Sequence, residues 1–291
     1  MDYNVLKKRP SFPFENIAVA VSFSPRLEGL LREAHRIAAM FNSSLIIIHI
    51  GKKNPEHEER LEKYILKTGI SKLKYRLIWM EGEPVDTILK LSKLNVVDLL
   101  ILGALEKENL YKYYVGSIAR TISRRAKCSV LLLTNPSINP PKIKNVVVSG
   151  TDNPKTIHTI KTMAYWARHE KINSFAVVQE VNIPALTISV SDAGSEPEVN
   201  KIKREMFEEE NQRLINLIKT VDNTDVEIRL ETVNGKPGFA ISNYAKNKKA
   251  DLLVFNSPDT HLGLFDRIFT HDIEFVLADL PCNLLIVHSR V

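Results

Sequence analysis

The chain repeats itself. Arg76-Leu77, followed five residues later by Gly82-Glu83-Pro84, returns as Arg229-Leu230 followed five residues later by Gly235-Lys236-Pro237. Asp98-Leu99-Leu100 returns as Asp251-Leu252-Leu253, and Cys128 with the apolar run behind it returns as Cys282 with its own apolar run. The offsets are 153, 153 and 154 residues. Motifs kept in step from Arg76 to Cys128 imply one fold used twice. The repeat also constrains function, because it shows which chemical groups one copy has and the other lacks.

At 291 residues, each copy is long enough to bury its own core. The expected domains are residues 1–137 and 142–291. The segment Asn135 to Lys142, with Pro136, Pro140 and Pro141, serves as the linker. A hydrophobic share of 44% and a charged share of 25% suit a soluble globular chain. No apolar run reaches the roughly 20 residues of a membrane helix. Met1 to Phe12 is polar and basic, unlike a signal peptide. The expectation is therefore a cytoplasmic protein without a membrane partner, its two cysteines reduced and unbridged. The net charge of +6 is spread over many positions, with short clusters at Lys7-Lys8-Arg9 and between Lys246 and Lys249. A nucleic-acid surface would be a continuous basic face interleaved with aromatics, so no specific nucleic-acid partner is expected.

Along each copy, β-branched runs such as Ser44 to Ile50 alternate with amphipathic stretches such as Leu27 to Phe41. Strands apolar on both faces, separated by helices, predict an α/β fold with a doubly wound parallel sheet in each copy. Helices are expected from Ser24-Pro25, Pro84, Ser117, Pro154, Pro237 and Thr270. The match of Ser44 to Ser174 is offset by 130 residues, so the second copy gains length after its second strand. Asn182 to Pro197 is read as a surface loop there. The last strands, Val130 to Leu133 and Leu284 to Val287, carry no charge and no proline. Left as open edges they would invite aggregation. They are expected to pair with each other, antiparallel, across a pseudo-two-fold axis.

Several segments together carry a resemblance. They are Ile17 to Val21, the strand end Ile48-His49-Ile50, Val97-Asp98-Leu99-Leu100-Ile101-Leu102-Gly103, Val115-Gly116-Ser117-Ile118-Ala119 and Cys128-Ser129-Val130-Leu131. In combination they resemble the universal stress protein family in tandem form. The resemblance implies a five-stranded sheet of order 3-2-1-4-5 in each copy. Ligands would then bind at the switch point, beyond the carboxyl ends of strands 1 and 4. ATP-binding members of the family carry Gly-x2-Gly-x9-Gly-Ser/Thr after strand 4, where glycines let backbone N–H groups approach phosphate and a helix N-terminus favours the anion. They also carry an Asp at the end of strand 1.

Transferred to this sequence, Gly103, Glu106, Gly116 and Ser117 would face the phosphates of ATP or another adenine nucleotide, with or without Mg²⁺. Ser22, Phe23 and Ser24 would face the adenosine end. Two positions depart from the family pattern: Glu106 replaces the middle glycine, and Ser22 replaces the Asp. A carboxylate beside a triphosphate is unfavourable unless a cation intervenes. In the second copy the corresponding residues are Asn256, Asp259, Phe269 and Thr270. Any nucleotide is therefore expected in the first copy.

Ser149-Gly150-Thr151-Asp152 partly resembles a pyrophosphatase loop, but it lacks the second Gly and the final Ser and reads as a strand-to-helix turn before Pro154. His261, His271, Asp272 and Glu274 are potential metal ligands, yet 271 and 272 do not share a helix face, so no metal site is expected. His49 and His288 end strands and read as structural. No nucleophile, base and orienting group fall into a recognisable set, so no catalytic residue is assigned. The leading expectation is a stress-responsive, non-catalytic binding or signalling protein. Slow ATP hydrolysis or nucleotidyl chemistry at the same loop, an interaction-only scaffold, and a homodimer all stay open.

Overall fold

The computed structural model describes residues 11–107, 112–151, 153–181, 196–221, 225–257 and 271–288. The first half runs β1 (Asn16–Val21), α1 (Leu27–Phe41), β2 (Ser44–Ile50), α2 (Pro55–Thr68), β3 (Tyr75–Met80), α3 (Pro84–Leu94), β4 (Leu99–Gly103), a hairpin of β5 (Leu105–Lys107) and β6 (Lys112–Tyr114), α4 (Ser117–Arg125) and β7 (Ser129–Leu133). The second half runs β8 (Val146–Ser149), α5 (Thr156–Glu170), β9 (Ser174–Val181), α6 (Glu196–Lys219), β10 (Glu227–Asn234), α7 (Phe239–Asn247), β11 (Leu252–Asn256), α8 (His271–Ala278) and β12 (Asn283–Val287). None of the described helices is long and apolar enough to cross a membrane.

The long strands form one ten-stranded sheet in the order β10-β9-β8-β11-β12-β7-β4-β1-β2-β3. Each half contributes the order 3-2-1-4-5, and strands within a half are parallel. The halves meet where β7 and β12 pair antiparallel, with Val130, Leu131 and Leu132 opposite Ile286, Leu285 and Leu284. The uncharged last strands thus cover each other, as expected. Both ends of the seam are clipped: the Thr134 N–H donates to Asn283 Oδ1 at 3.0 Å, and the His288 N–H donates to Ser129 Oγ at 3.2 Å. One core lies on each sheet face, and both draw on both halves. Val19, Leu131, Trp166 and Leu285 share one face; Ala18, Leu132, Val147 and Leu284 share the other.

The repeated motifs prove to be structural. Asp98 Oδ2 accepts the N–H groups of Glu15 and Asn16 at 2.9 and 2.8 Å, fixing the chain as it enters β1. Asp251 Oδ2 does the same for Lys144 and Asn145 ahead of β8, at 2.8 and 2.9 Å. Gly82 and Gly235 have φ of 145° and 148°, a region closed to most side chains.

Four expectations need correction. Helices α1 and α5 start at Leu27 and Thr156. In each the expected proline sits in the preceding turn, as with the Leu27 N–H bonded to the Ser24 carbonyl. Helix α7 starts at Phe239 and not at Pro237, because Gly238 lies at φ 78°. Glu83 caps α3 from its own N-cap position, whereas the Glu180 carboxylate, from β9, accepts the N–H groups of Gly238 and Ile241 at 3.0 and 2.8 Å. The helix after β9, α6, begins at Glu196, so Glu196 and Pro197 belong to it and not to the expected loop Asn182 to Pro197; residues 182–195 lie outside the described residues. The β5–β6 hairpin interrupts what was read as a loop.

Beside the seam, α1 faces α5. Arg36 Nη1 lies 2.7 and 2.9 Å from the two carboxylate oxygens of Glu170, whose side chain is 1% exposed. Phe14, Phe41, Tyr165 and Trp166 pack around this contact, with ring centroids 5.1 to 6.0 Å apart. Arg36→Ala would leave the buried Glu170 with only the Ile143 N–H at 3.2 Å, and would strip Glu33, 3.4 Å from Arg36 Nε, of the same cation. It is expected to lower unfolding stability by about 3–5 kcal/mol, whereas Arg36→Met with Glu170→Met should lose much less. Urea unfolding of both variants checks this, and a loss below about 1 kcal/mol for Arg36→Ala would show that the pair behaves as a surface pair.

Candidate functional site

Strands β1 and β4 are neighbours, with Ile17, Ala18 and Val19 opposite Leu99, Leu100 and Ile101. Residues beyond their carboxyl ends are therefore close by construction. After β1 the chain turns at once: the Ser24 N–H donates to the Ser22 carbonyl at 2.8 Å. Ser22 is exposed, while Phe23 and Ser24 are half-buried. The Phe23 ring stacks on His57 at 4.2 Å and meets His49 and Trp79 at 4.9 and 5.9 Å. His49 is itself buried, with Nδ1 at 3.0 Å from the Val21 carbonyl, and Trp79 Nε1 donates to the Gly51 carbonyl at 2.9 Å. These rings form an aromatic box over the ends of β1, β2 and β3. Sequence reasoning singled out Phe23 and His49 but missed the box, because its members come from separate strand ends and, for His57, from the first turn of α2.

Gly103 closes β4 opposite Leu133. Its φ is not positive, and a Cβ there would meet nothing nearer than Leu30 Cδ2 at 3.9 Å. Neither packing nor backbone conformation demands glycine. The chain then enters the hairpin, where Glu106 pairs with Tyr113. It leaves at Val115, whose N–H donates to the Leu277 carbonyl of α8 at 3.1 Å. Gly116 is the N-cap of α4 at φ −61° and ψ 163°, a conformation open to any residue. Ser117 is the first helical residue, as expected, and no side chain caps α4. Arg26, at the start of α1, spans the strand ends, with Nη1 donating to the carbonyls of Ala104 and Thr134 at 3.2 and 3.1 Å.

The second half repeats the register, with Val146, Val147 and Val148 opposite Leu252, Leu253 and Val254. Thr151 accordingly stands where Ser22 does, Lys155 where Arg26 does, and Asn256 where Gly103 does. Asn256 Nδ2 donates to Thr151 Oγ1 and Thr156 Oγ1 at 3.3 and 3.1 Å, and Thr159 Oγ1 donates to Asn256 Oδ1. Lys155 Nζ lies 3.4 Å from the Ser257 carbonyl. This switch point is filled by the protein's own polar side chains. Gly150 is there for packing: a Cβ would lie 2.9 Å from Leu214 Cδ2 and 3.0 Å from Val177 Cγ1. Asp152, Asp259, His261, Phe269 and Thr270 lie outside the described residues. Glu274 is engaged by Arg120 and Arg124 at 3.5 and 2.6 Å. Cys128 and Cys282 form no disulfide; burial first, then the nearby Asp251 carboxylate, pushes the Cys282 thiol up to about 12, which disfavours the thiolate.

The family model of universal stress proteins matches residues 13–134 and 175–288, and the chain belongs to that family. Among solved structures, a universal stress protein from Archaeoglobus fulgidus matches 96% of this chain and 100% of its own, with a TM-score of 0.67 at 13% identity. A protein of unknown function from Pseudomonas aeruginosa PAO1 matches 99% of this chain and 95% of its own, with a TM-score of 0.66 at 18% identity. At such identities the likeness concerns the fold alone. Comparison with curated proteins gives no match.

The two glycines near the switch points differ in a way that stability can read. Gly103→Ala is expected to change unfolding stability by less than about 0.5 kcal/mol. Gly150→Ala should cost about 1–3 kcal/mol through overpacking. Equal effects in urea unfolding would contradict the reading of Gly150 as a packing glycine and of Gly103 as an uncrowded one.

Proposed function

We propose that this is a stress-responsive binding protein whose first half, residues 1–137, takes an adenine nucleotide, while residues 142–291 form a partner half with no nucleotide of its own. One observation carries the reading. At equivalent places beyond the fourth strand, the first half has Gly103, where nothing crowds the backbone, and the second has Asn256, held by three threonine hydroxyls. In the first half, Gly103, Gly116 and Ser117 would approach the phosphates with backbone N–H groups, aided by the α4 N-terminus. The Ser22–Phe23–Ser24 turn would hold the adenosine end against the aromatic box. Glu106 would tune affinity, by repulsion of the phosphates or by holding a Mg²⁺ that bridges to them.

Calorimetry with ATP tests this directly. Gly116→Phe should abolish binding. Glu106→Gly should tighten it by about tenfold, near 1.4 kcal/mol, if repulsion dominates. A loss of affinity in Glu106→Gly, matched by a loss on adding a chelator to the unaltered protein, would assign Glu106 to Mg²⁺. Binding that ignores both substitutions places the ligand elsewhere and rejects the proposal. Phosphate release measured on the same samples separates a binding module, which gives no turnover, from an ATPase, whose turnover would vanish in Gly116→Phe.

A further inference from the structure

The register of β1 on β4 and of β8 on β11 makes residues of the two halves equivalent, and α1 and α5, each of 15 residues, then align along their whole length. Ser11, Phe12 and Phe14, ahead of β1, answer to Pro140, Pro141 and Ile143, ahead of β8. Thr162, Tyr165 and Trp166 of α5 answer to Glu33, Arg36 and Ile37 of α1. Around α5 the space beside the seam is full. Phe12 stacks on Tyr165 with ring centroids 5.1 Å apart, Phe14 meets Trp166 at 5.9 Å, and Ser11 Oγ lies 2.7 Å from Thr162 Oγ1. Around α1 the same positions leave a cavity of about 210 Å³, with Ile37, Leu131, Leu133, Pro141 and Ile143 on its lining. Aromatic rings close one side of the pseudo-two-fold, and the aliphatic side chains that replace them leave room on the other.

The lining has an electrostatic sign. Glu33 and Asp251 both belong to it. The Glu33 side chain is 8% exposed, and its ion pair with Arg36 Nε is long, at 3.4 Å. Arg36 gives Nη1 to both oxygens of Glu170, so one guanidinium serves two buried carboxylates. Burial raises the Glu33 carboxyl above its ordinary value, and the Glu170 charge adds to this against Arg36. Asp251 spends Oδ2 on the N–H groups of Lys144 and Asn145. Lys142, the other cation on the lining, is exposed, where water and salt screen it. The carboxylates Glu33, Glu170 and Asp251 thus outnumber the cations Arg36 and Lys142 around an apolar space, and a buried charge is costly until it is paired.

We propose that this cavity binds a small aliphatic ammonium, with its charge on Glu33 and its alkyl body against Ile37, Leu131 and Ile143. The site belongs to the seam between the halves and does not depend on a nucleotide in the first.

The test is titration of the full chain with n-butylamine, with 1-butanol and butyrate as neutral and anionic controls of similar length, followed by amide NMR shifts. Butylamine should move the amides of Ile143 and Asn283 and bind at least about tenfold more tightly than either control. Glu33→Gln should weaken butylamine by about tenfold, since it removes the charge and keeps the shape. Ala250→Leu fills the lining from another side without touching a charge and should exclude the probe. It carries the test if thermal unfolding shows that Glu33→Gln does not fold. Absence of butylamine binding at about 10 mM overturns the inference. So does equal affinity for butylamine and 1-butanol, tighter binding of butyrate, or butylamine binding that survives both substitutions.

Discussion

The pairing of β7 with β12 governs the rest of the molecule. Each is the last strand of its half, uncharged and buried over nearly its whole length, and each would be a hazardous open edge if left alone. Joined antiparallel, they merge two sheets into one and bring the helices of both halves together, so that each sheet face carries a single shared core. The seam also fixes polarity. Strands within a half are parallel, and the halves run opposite ways, so their carboxyl ends open on opposite edges of the sheet. The two switch points are therefore far from direct contact, and each could change without steric consequence for the other.

The contrast between the switch points follows from that freedom. In the second half, Asn256 is satisfied by Thr151, Thr156 and Thr159, so its amide has little to gain from a ligand. In the first, the equivalent residue is Gly103, and the nearby polar groups belong to backbone, to the Ser22–Ser24 turn and to Arg26. The contrast lies in a side chain that joins neighbouring hydroxyls at Asn256 and in the lack of any side chain at Gly103. Two copies built on one plan thus differ most beyond the fourth strand.

What the two copies share is mostly structural. Asp98 and Asp251 clamp the chain ahead of the central strand in the same way, and Gly82 and Gly235 supply the same left-handed turn. Residues that match across the repeat report on the fold, and residues that differ, such as Gly103 against Asn256, report on the site. The same logic brings Ile37 against Trp166 to notice, although their equivalence becomes visible only once β1 and β8 are laid in register with β4 and β11.

The sequence by itself determined the alternation of strands and helices, the tandem repeat and the pairing of the last strands. These are written in local periodicity and in the absence of charge, and hydrophobic burial leaves few other arrangements. Gly103, Gly116, Ser117 and the Ser22–Ser24 turn came to notice through the resemblance to the family's nucleotide loop, not through the repeat, which has Asn256 and Phe269 at two of the matching positions. Only the tertiary structure decided that Phe23 is boxed in by His49, His57 and Trp79, that Glu180 caps the helix begun at Phe239, that Asn256 fills its switch point, and that Arg26 reaches the ends of β4 and β7. Each of these joins residues far apart in the chain, and single side-chain contacts across elements leave no periodic trace. The short hairpin after β4 escaped for a related reason: strands of three residues are too brief to show an alternation.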